Sequence, residues 1–179
     1  MLEITIPERE LYDEKVEEFV VEPKVELVLE HSLVSLSKWE SKWEVSFLNN
    51  KEHTTEQTMD YIRCMNLTSG VPDSVFERLD EESFDKINNY ISAKMTATWF
   101  SDQKKGNSRE VITSELIYYW MISLTIPFEC QYWHLNRLLT LIRVCNEKNQ
   151  PAKKVPRKEA AARNRELNRQ RRAAMNTSG

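Results

Sequence analysis

The charges of this chain divide sharply at Lys153, and the division limits where a hydrophobic core can form. The segment from Lys153 to Gly179 holds nine Lys or Arg and two Glu, a net charge of +7, whereas the preceding 152 residues hold 16 basic and 26 acidic side chains, a net charge of −10. Between Arg157 and Met175, only Leu167 and Met175 are large apolar residues. A segment this polar buries too little apolar surface to offset its loss of chain entropy, so we expect the core to lie before it.

The sequence therefore predicts one folded domain over residues 1–150 and a basic C-terminal arm over residues 151–179. Strong helix formers and the Glu159/Arg163 pair, four residues apart, favour a helix in the arm. Because this helix has no apolar stripe with which to dock, we expect the arm to be mobile.

The first 30 residues show the alternation of apolar and polar side chains that is typical of β-strands. It occurs over residues 2–6 and 25–29, and the apolar run 19–21 lies between them. We expect a small antiparallel β meander of three strands. A sheet of this size is marginal alone, so it needs a helical cover.

Residues 31–150 are predicted to be helical. Ser32, Thr54 or Thr55, and Asp80 each precede a segment whose apolar residues recur every three or four positions, which is the pattern of a capped amphipathic helix. The fold class is thus predicted as α+β, with the meander packed on a predominantly α-helical domain.

Two further helices are expected in the second half of the domain. Residues 108–126 are apolar nearly all round, which favours a central, buried helix. Pro127 suits the first turn of a last core helix. The stripe of that helix is formed by Leu135, Leu138, Leu139 and Ile142, and we expect it to pack against the preceding helix.

No pattern for catalysis, metal binding or membrane insertion stands out. The acidic run Asp80-Glu81-Glu82 begins a predicted helix, where carboxylates stabilise the exposed N–H groups without a catalytic role. Cys130 and His134 are four residues apart, but no further ligands occur at zinc-site spacing. The longest apolar run, Leu116 to Ile122, is far shorter than the about 20 residues of a membrane span. We expect a non-enzymatic protein without metal, cofactor or membrane contact.

Four aromatic residues are candidate anchors for a protein partner. Trp39 and Trp43 lie on a short helix beside the sheet, and Trp99 and Phe100 lie in an irregular segment. Partly exposed tryptophans of this kind often dominate protein interfaces. For both groups we favour packing within the core over a role as partner anchors.

The arm offers five arginines that could neutralise an anionic partner: Arg163, Arg165, Arg169, Arg171 and Arg172. Phosphate contacts are one use of such a segment. However, the arm has no aromatic residue for base stacking, and the acidic domain would repel a polyanion. We therefore favour docking on an acidic protein surface, including that of another copy, over a solvated tail or nucleic-acid binding.

Several uncommon aromatic strings, in order, resemble those of a family of small proteins from the tail-gene cluster of long-tailed bacteriophages. They are SLSKWESKW (35–43), DYIRCM (60–65), MTATWF (95–100), ITSELIYYWMI (112–122) and IPFECQYWHLNRLLTLI (126–142), followed by the basic ending. The resemblance spans nearly the whole chain, and within the family it is to tail assembly chaperones.

The resemblance implies a helper without enzymatic activity that works in the host cytoplasm. It would bind the phage tape measure protein transiently while the tail tube polymerises, with other tail proteins or further copies of itself as additional partners. The rival hypothesis is a phage nucleic-acid-binding or packaging protein that uses the basic arm.

Overall fold

A computed structural model describes residues 1–13, 17–50, 52–100, 110–149 and 157–175. It consists of four strands and seven α-helices with one 3₁₀ helix in these ranges, which confirms the α+β class. Contacts within the chain divide it into two units, Met1–Asn146 and Glu147–Gly179. The boundary predicted after residue 150 falls outside the described residues.

The strands form two antiparallel ribbons, one nested within the other along the chain. They are β1 (Leu2–Ile6), β2 (Arg9–Asp13), β3 (Glu18–Glu22) and β4 (Val25–Leu29). β1 pairs with β4, and β2 pairs with β3. The predicted three-stranded meander is therefore wrong. β2 was missed because its sequence, RELYD, lacks alternating apolar residues. It is a strand because its backbone pairs with that of β3.

The helices follow the strands. They are α1 (Leu33–Trp43), α2 (Thr55–Met65), α3 (Asp73–Phe76), α4 (Glu81–Ser92), α5 (Ser114–Ser123), a 3₁₀ helix (Phe128–Tyr132), α6 (Leu135–Asn149) and α7 (Arg157–Met175). The predicted caps Ser32, Thr54 and Asp80 each accept a hydrogen bond from a backbone N–H in the first turn. Local side-chain capping thus sets three helix starts.

α5 is shorter and less buried than its sequence predicted. Thr113 caps it by accepting a hydrogen bond from the Leu116 N–H, so the helix begins well after residue 108. Only Ser114, Ile117 and Met121 are buried. This face packs against α1, whereas the opposite face remains exposed. The helix has apolar residues on every side, but only one side is buried.

The segment after Pro127 also differs from its prediction, which was a single helix. A short 3₁₀ helix comes first, and α6 begins only at Leu135. The reason is a tertiary contact, because the Leu135 N–H donates to the His31 carbonyl oxygen at 2.7 Å. Trp133 between the two helices is extended.

One hydrophobic core joins the β1–β4 ribbon to the helices of the first unit. The ribbon contributes Ile4, Ile6, Leu27 and Leu29; α1 contributes Leu33, Leu36 and Trp39; α5 contributes Ile117 and Met121; and α6 contributes Leu135, Leu138 and Ile142. The predicted stripe of α6 is buried except for Leu139, which is only partly covered.

A cluster of buried polar side chains crosses this core. His31 Nδ1 and Tyr61 Oη are 2.6 Å apart, and the His31 ring contacts the His134 ring at a centroid distance of 5.1 Å. His134 Nε2 bonds the Tyr90 carbonyl oxygen at 2.9 Å, while the Tyr90 hydroxyl donates to Glu30 Oε1 at 2.8 Å. Burial, with a smaller contribution from His134, lowers the pKa of His31 to about 3. His31 is therefore neutral at physiological pH.

The buried side chain of Glu40 fixes α5 to α1. Its two carboxylate oxygens accept hydrogen bonds from the backbone N–H groups of Phe47, at 3.0 Å, and Ser114, at 2.6 Å. Ser114 is the first residue of α5, so Glu40 sets the position of that helix. An anionic acceptor at a helix N-terminus is also favoured by the helix dipole.

Candidate protein-docking surfaces

Trp39 and Trp43 lie on α1, but they do not form an exposed anchor. Trp39 is fully buried, and its indole N–H donates to the Gln57 carbonyl oxygen at 2.9 Å. Trp43 is half-buried, and its N–H donates to Asp60 Oδ2 at 2.9 Å. Of the two alternatives for Trp39, packing within the core is the one observed, because α1 places it in the core, against the ring of Phe47.

Trp99 and Phe100 lie in the irregular segment after α4. Trp99 is 76% exposed, as an anchor for a partner would be, and Phe100 is half-buried. Each aromatic ring carries a cation on its face. Lys94 Nζ lies 3.7 Å from the Trp99 ring centroid, and the Arg143 guanidinium lies 3.9 Å from that of Phe100. This pair is thus part of a cationic surface, in contrast to the apolar surroundings of Trp39.

A third group of aromatic residues forms an exposed apolar surface on α5 and the 3₁₀ helix. We call it the α5 aromatic surface; it consists of Tyr118, Tyr119, Ile122, Phe128 and Tyr132. Tyr119, Ile122 and Tyr132 are each more than 60% exposed, and Phe128 is 52% exposed. Tyr118, Tyr119 and Ile122 share one side of α5 through steps of three and four residues.

Two contacts hold the halves of the α5 aromatic surface together. The Tyr118 and Phe128 rings are 6.4 Å apart, and the Tyr118 hydroxyl donates to Gln131 Oε1 at 2.9 Å. Burial and, to a lesser extent, Tyr132 raise the pKa of Tyr118, so its hydroxyl remains a proton donor. Glu115 and Glu129 are exposed and close in sequence to these residues, and we call this pair of carboxylates the acidic rim.

Sequence reasoning missed this surface because it assigned all of α5 to the core. One signal was available. Tyr118 and Tyr119, at adjacent positions of a largely apolar helix, present hydroxyl groups, which are easier to leave in water than to bury.

The β2–β3 ribbon is a second exposed apolar feature that was not predicted. Leu11 faces Val20 across the strands, and Tyr12 faces Phe19, with ring centroids 5.2 Å apart. All four side chains are exposed, so both faces of the ribbon are apolar. The guanidinium of Arg78 bonds the carbonyl oxygens of Pro7 and Pro23 and thereby holds the base of the ribbon.

The five arginines predicted for an anionic partner are all exposed on α7: Arg163, Arg165, Arg169, Arg171 and Arg172. Arg165, Arg169 and Arg172 share one side of the helix through steps of four and three residues. Arg169 also pairs with Glu166 at 3.0 Å. The helix predicted for the arm is thus present, and its binding role stays a prediction.

Cys130 and His134 are not arranged as metal ligands. Cys130 lies in the 3₁₀ helix and His134 follows it, so the helical spacing that would place them together is absent. His134 uses both ring nitrogens, with Nδ1 accepting from the Asn136 N–H at 3.3 Å and Nε2 bonding the Tyr90 carbonyl oxygen. Across the described ranges, no three His, Cys, Asp or Glu side chains could jointly hold a metal ion.

Comparison with models of known protein families finds no match to this chain, and comparisons with curated proteins and with solved structures find none either. None of the helices in the described part of the chain combines the length and apolar character needed to cross a membrane.

Proposed function

We propose that this protein is a non-enzymatic tail assembly chaperone of a long-tailed bacteriophage. In this proposal it acts in the host cytoplasm and binds the tape measure protein transiently. The observation that best supports it is the α5 aromatic surface. All five of its side chains fall within two of the strings that carry the family resemblance, at residues 112–122 and 126–142.

The chemistry of this surface suits reversible binding of an apolar helix. Aromatic side chains supply large contact areas and are enriched among residues that dominate interfaces. Tyr119 and Tyr132 also carry hydroxyls that remain solvated when no client is bound. The acidic rim keeps the free surface soluble and favours a client with basic residues beside its apolar stripe.

We expect a variant with Tyr119→Ser and Ile122→Ser to bind a tape-measure fragment at least tenfold more weakly, about the loss seen when interface anchors are removed. The measurement is the amount of fragment kept in solution on co-expression, with affinity by fluorescence anisotropy. The matched control is Val45→Ser with Leu67→Ser, which removes two other exposed apolar side chains. Equal loss in the two variants, or no loss in either, would contradict the proposed surface.

The rival function, nucleic-acid binding, is favoured by one observation, the exposed arginine face of α7. In our proposal, the full chain binds DNA weakly. Removal of residues 153–179 abolishes this DNA binding and leaves the affinity for the tape-measure fragment unchanged. A binder that makes six or so phosphate contacts loses about 10³-fold in affinity between 50 and 200 mM salt. Tight DNA binding at physiological salt that depends on the arm, together with no binding of a tape-measure fragment, would favour the rival.

A further inference from the structure

A shallow groove runs between the segment 94–100 and α6. We call it the α6 cationic groove. It has two depressions, of about 360 and 250 Å³, which share Thr96, Thr98 and Thr140 in their linings. Asn136 Nδ2 donates to the carbonyl oxygens of residues 91 and 93, both at 2.9 Å, and so ties the start of the segment to α6. The shared lining places the two depressions side by side.

Three cations line the groove, and each lies over an aromatic ring. Lys94 is paired with Trp99, Arg143 with Phe100, and Arg137 with Trp133, the last at 4.0 Å from the ring centroid. Among the described residues that line the two depressions, none carries a carboxylate. The residues before Lys153 have a net charge of −10, so a lining with three cations and no carboxylate differs in sign from this part of the chain as a whole.

Such a lining selects an anionic ligand, and two features favour a polypeptide over a nucleic acid. The cations already cover faces of the three aromatic rings, and those faces are what single-stranded bases would stack on. The net negative charge of the first 152 residues would also repel a long polyphosphate more strongly than a segment with two or three carboxylates. The threonine hydroxyls can bond its backbone amides.

We infer that the α6 cationic groove binds a short acidic segment of a partner protein in an extended conformation. The part of the groove from Arg137 to Val144 covers seven helical rises of α6, which is about 10 Å. This is the length of about three residues of extended chain. Alternate side chains of such a segment point to the same side, so carboxylates two residues apart can face the groove together. This site is separate from the α5 aromatic surface and does not depend on the proposed chaperone function.

The test uses the full chain and a fluorescent hexapeptide, (Asp-Ser)₃, with affinity measured by anisotropy at about 50 mM salt, where such contacts are weakly screened. We expect the peptide to bind and the neutral peptide (Asn-Ser)₃ to bind at least tenfold more weakly. Lys94→Gln with Arg137→Gln should lower the affinity for the acidic peptide by about tenfold, because charge-assisted contacts are lost. Both side chains are exposed, so the fold should be unaffected.

Two control variants separate the groove from general electrostatic attraction. Lys38→Gln with Lys86→Gln makes the same change in net charge at other exposed positions, and the affinity should change less than about twofold. Arg165→Gln, Arg169→Gln and Arg172→Gln neutralise the arginine face of α7, and the groove should still bind. The inference is overturned if the acidic peptide does not bind, if only the arm variant weakens it, or if a dT₁₀ oligonucleotide binds the groove more tightly than the peptide.

Discussion

Replacement of Leu138 by alanine is expected to lower the free energy of unfolding by about 2–5 kcal/mol. Leu138 is fully buried in the middle of α6 and shares the core with Leu135 and Ile142. Truncation removes apolar contacts and leaves a cavity that the surrounding side chains fill only in part. Since domains of this size are stable by only about 5–15 kcal/mol, the loss should be obvious in urea or thermal unfolding.

The matched control for this prediction is the adjacent residue. Leu139 belongs to the same predicted stripe but is only partly covered, so Leu139→Ala should cost clearly less than Leu138→Ala. Circular dichroism of both variants would show that the native helix content is kept. Equal melting of the Leu138→Ala variant and the unaltered protein would mean that this face of α6 does not pack in the core.

The features that sequence predicted correctly are those decided by neighbouring residues. Ser32, Thr54 and Asp80 bond N–H groups within three residues of themselves, so their capping role is readable from the local sequence. The α6 stripe is equally local, because residues three and four apart share a helix face whatever surrounds it. The α+β class followed from these local patterns.

The features that sequence missed depend on contacts between distant segments. β2 has charged residues at most positions and is a strand because β3 pairs with it. The break between the 3₁₀ helix and α6 depends on the bond from the Leu135 N–H to the His31 carbonyl oxygen, across more than 100 positions of the chain. The exposure of Tyr119 and Ile122 depends on how much of α5 its neighbours cover, which hydropathy alone cannot reveal.

The candidate docking surfaces were predictable only in part, because they too depend on contacts between distant segments. Trp99 could be assigned to an exposed segment because its surroundings lack helical or strand periodicity. Trp39 is also a tryptophan, but its position on α1 places it in the core. The cations over the Trp99 and Phe100 rings come from position 94 and from α6, so the cationic groove emerges only when these segments pack together.

The second large effect expected is a loss of stability in mild acid that depends on His31. The folded protein holds the pKa of His31 at about 3, whereas its ordinary value is 6.5. Between these values the unfolded chain binds a proton that the folded protein does not, so stability falls as pH decreases. The slope approaches about 1.4 kcal/mol per pH unit well below pH 6.5, and between pH 7.5 and 5 the loss should reach about 2 kcal/mol.

Among the described residues, no group that faces His31 favours its charged form in this window. The Tyr61 hydroxyl and the His134 ring face its imidazole, and neither offers a negative charge that would stabilise an imidazolium. Carboxyl groups with lowered pKa, such as those of Glu22 and Asp80, add to acid destabilisation only below their ordinary values of 4.5 and 3.8. The region from pH 6.5 to 5 therefore isolates the histidine contribution.

The measurement is the free energy of urea unfolding at half-unit steps from pH 7.5 to 5, which spans the titration of an ordinary histidine at about 6.5. We compare the unaltered protein with His31→Gln, in which an amide can still bond the Tyr61 hydroxyl but cannot gain a proton. The variant should be less stable at neutral pH, and its stability should change little down to pH 5. The test is how steeply the free energy of unfolding falls with decreasing pH. If His31 had a purely structural role, its replacement would lower the free energy of unfolding by the same amount at every pH. The same slope in both proteins would show that His31 is not the buried group that makes the fold sensitive to acid.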